Sequence, residues 1–230
     1  MASSACLAIR PRQLALALPH QESFARDDFL DGPSNQAALT LLAAWPDWPG
    51  RAIMLVGPEG AGKSHLAAIW AEQAGARIAS ARLLATGDVP ASLATDALVL
   101  EDVAQGATDE AALFHLLNLA RERDAFLLIT ARTPPATWRL RVPDLASRLK
   151  ALPVVTVTPP DEHLLRAVMV KLFSDRQIAP DAALLDYLMS RIERSFASVR
   201  MAVERLDGEA LRRQRPVTRA LASELFRGAD

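Results

Sequence analysis

Short apolar runs alternate along the chain with longer segments whose apolar positions recur every three or four residues. This alternation predicts strands feeding helices around a parallel sheet, an α/β architecture. Ala52–Val56 reads as a buried strand stopped by Gly57 and Pro58, and Lys63–Ala74 as the helix behind it. Further strands are expected at 77–79, 97–100, 126–130 and 154–157. Residues 110–123 place Leu113, Leu116, Leu117 and Ala120 on one face of a helix. After Pro159 and Pro160 the strand-like runs cease, and helices are expected at 161–176, 181–193, 198–214 and 218–226. The organisation read from this is an arm over 1–21, an α/β domain over 22–160 and a small all-helical domain over 161–230.

Composition narrows the function classes. Half of the 230 residues are apolar and 23% are charged, a globular balance, and the net charge of −1 disfavours an obligate electrostatic DNA binder. The single Cys6 excludes a disulfide framework, and no apolar run is long enough to span a bilayer. Residues 1–18 carry Arg10 and Arg12 without an acid, so a targeting segment is one reading of them. The apolar stretch there is short for a secretory signal and lacks a convincing cleavage site, and a cytoplasmic location is expected.

Candidate chemistry sits at the first strand–helix junction. Gly57, Pro58, Glu59, Gly60, Ala61, Gly62, Lys63 and Ser64 complete a G-x-x-x-x-G-K-S loop between a strand and a helix. Glycines there let backbone N–H groups curl around a polyphosphate, the helix N-terminus adds its dipole, Lys63 adds a point charge and Ser64 a hydroxyl ligand for Mg²⁺. An ordinary glycine-rich turn is the bland alternative. The strand at 97–100 runs into Glu101 and Asp102, expected as metal ligand and water-orienting carboxylate respectively, against a merely solvated strand end. His65 follows the loop, either near the ligand or as a plain helix residue.

These residues resemble the AAA+ ATPases, P-loop NTPases with a parallel-sheet core and a helical lid, and within them the DnaA replication-initiator branch. The segment from Phe29 and Leu30 through Asp31, Gly32, Pro33, Ser34 and Asn35 is similar to the family's adenine-pocket segment; a turn before a helix N-terminus would use the same residues. Asp144, Leu145, Ala146, Ser147, Arg148 and Leu149 resemble the segment bearing the arginine finger. The resemblance thus implies that Arg148 reaches a nucleotide on another subunit; a surface Arg in an ion pair is the alternative. Phe196, Ala197, Ser198, Val199 and Arg200 resemble the second sensor motif, with Arg200 bordering the apolar stripe of its helix. The resemblance implies ATP or ADP as ligand, with Mg²⁺. Initiators continue into a helix-turn-helix domain that is not expected here.

Gln13, Leu14, Leu16 and Leu18 are similar to the peptide by which bacterial proteins dock on the replicative sliding clamp, the polymerase III beta subunit. In an extended chain the three leucines share one side; an ordinary strand has the same period. Together these features imply a negative regulator of replication initiation whose partners are the clamp and the DnaA initiator. It would meet DNA only through the clamp, with self-association possible and no membrane contact. An autonomous ATPase or helicase loader and a non-catalytic clamp-binding adaptor are the rival readings. Two departures from the family pattern point to weak intrinsic hydrolysis. Glu101 stands where initiators commonly carry Asp, and the first sensor region, 130–135, offers Thr130 in place of an acid.

Overall fold

A computed structural model describes residues 29–226. The chain forms α1 (Gln36–Ala43), β1 (Ala52–Val56), α2 (Lys63–Ala74), β2 (Arg77–Ser80), α3 (Val89–Ser92), β3 (Ala97–Val103), α4 (Glu110–Glu122), β4 (Phe126–Ala131), α5 (Pro143–Ala151) and β5 (Val154–Thr156). Four helices follow: α6 (Glu162–Asp175), α7 (Ala182–Met189), α8 (Phe196–Arg213) and α9 (Arg219–Phe226). The five strands pair in parallel in the order β2-β3-β4-β1-β5.

Alternation along the strands divides the core between the two faces of the sheet. Met54, Leu98, Leu100, Leu127 and Ile129 pack with Leu113 and Leu116 of α4 and Leu145 and Leu149 of α5. Ile53, Leu55, Val99 and Leu128 pack on the opposite face with Leu39 of α1 and Leu66 and Trp70 of α2. Trp70 is fully buried and stacks on Trp48 at a ring separation of 4.9 Å. The last four helices enclose a third cluster around Phe173, Leu188, Val203 and Leu206. Asp161, Asp181 and Ser195 cap α6, α7 and α8 by accepting bonds from the amides of Leu164, Leu184 and Ser198. Caps of this kind contribute about 1 kcal/mol each. Among the described residues no helix is long and apolar enough to cross a membrane.

The sheet and its helices follow the periodicity, with informative departures. β3 continues to Val103, beyond its apolar run, because the bulge described below lets it keep pairing with β4. α7 stops at Met189, short of 193, where Arg191 N–H turns back to Leu188 O at 2.9 Å and Ser190 Oγ bonds Tyr187 O. α8 begins at Phe196, ahead of 198, because Ser195 caps it.

One backbone contact fixes the loop after β1. Gly57 donates to Ala131 O at 3.1 Å, and a Cβ on Gly57 would lie 2.1 Å from Val157 O. Gly57→Ala must therefore part β1 from the chain leaving β5. A loss of about 1–3 kcal/mol is expected, read as a lowered urea midpoint at unchanged m-value.

Candidate functional site

The carboxyl ends of β1, β3 and β4 face α6 and α8 across a cleft of about 600 Å³. Its phosphate-loop side is lined by Glu59, Gly60, Gly62, Lys63, Ser64 and His65. Gly60 and Gly62 have φ of +75° and +95°, which glycine adopts without the steric penalty other residues meet, and they also leave room for the helical domain. A Cβ on Gly60 would sit 2.7 Å from Ser195 Cβ, and one on Gly62 would sit 3.2 Å from the Phe196 ring. The Phe196 amide is 3.4 Å from Gly60 O. Loop and lid are thus in direct contact.

Lys63 is buried, and its Nζ donates to the carbonyls of Gly57 and Pro58, both at 2.8 Å. Burial holds its ammonium below the ordinary lysine value. The Asp102 carboxylate opposes that shift, the Arg132 guanidinium adds to it, and Glu59 and Glu101 oppose it further. Gly57, Pro58 and Ala61 do not line the cleft. Gly57 is wedged on Val157, Pro58 serves Lys63 through its carbonyl, and Ala61 is buried in the core beneath α2.

Asp102 reaches the cleft by a bulge. Leu100 pairs with Ile129 and Val103 with Ala131, so three steps along β3 oppose two along β4. Asp102 sits at the bulge with φ +57°, and its amide donates to the buried Thr130 Oγ1 at 3.0 Å. Thr130 therefore fixes the backbone of the acid. Val103 returns to the core face, Asp102 lines the cleft, and Glu101 lies half-buried one residue back, outside the lining.

Phe29 and Leu30 line the cleft, and the Phe29 ring meets His65 edge-on at 4.8 Å. Their approach is set by Asn35, which is buried. Its Oδ1 accepts from Gly32 N–H at 3.0 Å and its Nδ2 donates to Leu30 O at 3.1 Å. Thr158 N–H donates to Ser34 O at 3.1 Å, tying this segment to the chain after β5. From the lid, Phe196, Ala197 and Arg200 line the opposite wall.

Arg148 does not line this cleft. Leu145 and Leu149 bury one side of α5, leaving Arg148 half-buried on its flank with its guanidinium 5.1 Å above the Phe114 ring of α4. Gln13, Leu14, Leu16 and Leu18 lie outside the described residues. Arg132 and Arg176 are among the charged lining groups that sequence reasoning did not single out. Arg132, just beyond β4, lines the cleft and pairs with Glu59 at 2.7 Å. Arg176 is held by Leu172 O at 2.9 Å and Asp207 at 3.5 Å, and lines the lid side. A cation directly after a buried strand end was the available signal for Arg132; Arg176 had none.

No family model matches the chain. Domain III of the Thermotoga maritima replication initiation protein DnaA aligns with a TM-score of 0.73 at 19% identity, covering 90% of this chain and 96% of that one. AMPPCP-bound DnaA from Aquifex aeolicus gives 0.66 at 18% identity, covering 83% and 68%. The Thermotoga maritima RuvB Holliday junction branch migration motor gives 0.67 at 18%, covering 88% and 71%. The fold is therefore the AAA+ P-loop ATPase fold. Its form is DnaA-like.

Thr130→Val removes the acceptor for the Asp102 amide while nearly preserving volume. It should cost about 1–3 kcal/mol of stability through the unsatisfied N–H, measurable by urea unfolding, and should loosen the placement of Asp102.

Proposed function

We propose that the chain is a nucleotide-bound AAA+ regulator of the Hda type, which docks on the sliding clamp and promotes ATP hydrolysis by the DnaA initiator. The cleft fits an adenine nucleotide on its own chemistry. Buried Lys63 and a loop opened by Gly60 and Gly62 suit a polyphosphate, with Phe29 and Leu30 at the other end and Arg200 across from the loop. Ser64 is the hydroxyl that would hold Mg²⁺, with Asp102 facing the cleft and Glu101 behind it. Magnesium commonly takes only one or two protein ligands beside phosphate oxygens and water, and this sparse donor set suits it. When bound, the ion neutralises phosphate charge. Ser195 and Phe196 of the lid pack against the loop at Gly60 and Gly62.

The observation that carries the regulatory reading is the position of Arg148. A guanidinium outside its own cleft, on a helix pinned by two buried leucines and steadied over an aromatic face, suits a charge presented to a second molecule. Such a finger stabilises negative charge developing on a transferred phosphoryl group, worth about 10³–10⁵ in rate in GTPases. The peptide at Gln13, Leu14, Leu16 and Leu18 supports clamp docking by its sequence. Asp102 and Lys63 lining one cleft favour a second reading, an autonomous ATPase, which turnover by the isolated protein would reveal.

Arg148→Ala should retain nucleotide and clamp binding yet lose stimulation of DnaA hydrolysis, by about 10³-fold if the finger acts as in GTPases. Normal stimulation by this variant refutes the assignment. Gln13→Ala/Leu16→Ala should abolish capture by immobilised clamp while leaving nucleotide binding unchanged; equal capture of both proteins would remove the docking peptide from the proposal.

A further inference from the structure

Three arginines stand along one side of α4, each held by a different residue of that helix or of the loop before it. Trp138, Leu140 and Val142 pack on the core, so the intervening Arg139 and Arg141 turn outward and are exposed. Gln105, in the loop ahead of α4, accepts the Arg139 amide at 2.9 Å through Oε1. Glu110, in the first turn of α4, accepts the amides of Arg141 and Val142 at 2.8 and 3.0 Å. Phe114 follows four residues on, hence on the same helix face, with the Arg148 guanidinium 5.1 Å from its ring. Val142 is the N-cap of α5 and offers no side-chain cap, so Glu110 anchors the start of the helix that carries Arg148.

A hollow of about 510 Å³, distinct from the nucleotide cleft, lies between the loop ahead of α4 and this segment, and Arg139, Arg141, Asp109 and Glu110 line it. Both acids are occupied by backbone. Asp109 caps α4 through the amides of Ala111 and Ala112, and Glu110 holds the segment ahead of α5. Neither the Arg139 nor the Arg141 guanidinium is hydrogen-bonded or ion-paired among the described residues. From 132 to 150 the chain carries five cations and one acid, Asp144.

We propose that Arg139 and Arg141 form a docking face, continuous with Arg148, for an acidic protein surface beside the nucleotide of the molecule that receives the finger. The inference rests on reading Arg148 as a finger and adds the surface that delivers it. Their backbone is already ordered by Gln105 and Glu110, so binding has only two side chains left to immobilise. Exposed charges of this kind speed encounter and fix register more than they add affinity. A nucleic-acid backbone offers the same sign of charge. A protein suits this place better, because the finger acts only when a second protein's triphosphate reaches Arg148, and the row ends one α4 turn from it.

The test is stimulation of DnaA ATP hydrolysis by rising concentrations of the full chain, with clamp on DNA, and binding of ATP-bound DnaA measured alongside. Arg139→Gln/Arg141→Gln should raise the half-saturating concentration about fivefold at low salt and leave maximal stimulation unchanged. The difference should shrink as salt rises. Arg139→Lys/Arg141→Lys, which keeps the charge, should stay within about twofold of wild type. Arg148→Ala should instead lose the maximum while still binding DnaA. An unchanged half-saturating concentration in the double Gln variant overturns the docking face and leaves the finger standing, as does loss of the maximum with binding intact. A double variant that loses affinity for duplex DNA but keeps it for DnaA assigns the row to nucleic acid and overturns the proposal equally. Wild-type protein that neither binds nor stimulates DnaA refutes the finger reading itself.

Discussion

A lysine ammonium held almost out of water by two backbone carbonyls is the constraint around which the cleft is arranged. Lys63 donates to the carbonyls of Gly57 and Pro58, so the loop must fold back over the first turn of α2. Desolvation disfavours the charged form, and the carboxylates of Asp102, Glu59 and Glu101 offset that only in part. A cation in that condition gains from any anion brought close, and the loop leaves space beside it for a polyphosphate. The close fit of Gly57 on Val157 O keeps the arrangement from relaxing outward.

Sheet order gives the site its direction. β1 lies between β4 and β5, so the phosphate loop opens between two different neighbourhoods. On the β5 side Asn35 and Ser34 hold an apolar wall; on the β4 side the strand ends deliver Thr130, Arg132 and Asp102. A crevice at the carboxyl ends of parallel strands commonly binds ligands, but the polarity of this one follows from which residues terminate each strand. The bulge at Asp102 belongs to the same logic. It turns one acid into the cleft while allowing Val103 to complete the core.

Much of this was legible in the chain. β1 and α2 fall on the residues the sequence pattern predicts, with Gly57 and Pro58 stopping the strand, and the amphipathic pattern of α4 was clear. Phe29, Lys63, Ser64, Asp102 and Arg200 were all named from sequence and share one cleft. What escaped depends on residues distant in sequence. The Asp102 bulge needs a hydroxyl 28 positions away, the Arg132–Glu59 pair joins two loops, and the seat of Arg148 is an aromatic ring on another helix. No local period encodes such pairings. α1 was visible only as a helix start, and the single-turn helices at Ala81–Leu83 and Thr86–Asp88 are too short to carry a period at all.

The glycines of the loop serve two surfaces at once. Toward the cleft, Gly60 and Gly62 leave backbone unobstructed where phosphate would lie; toward the lid, they leave the space that Ser195 and Phe196 fill. Ser195 is also the cap of α8, and Arg200 stands a little over one turn further along that helix. The seat of the lid on the loop therefore sets where Arg200 enters the cleft. A side chain added at either glycine would move the loop and the start of α8 together, so loop conformation and lid position are mechanically one variable. This coupling requires only close packing, since interiors at this density transmit small displacements rather than absorb them.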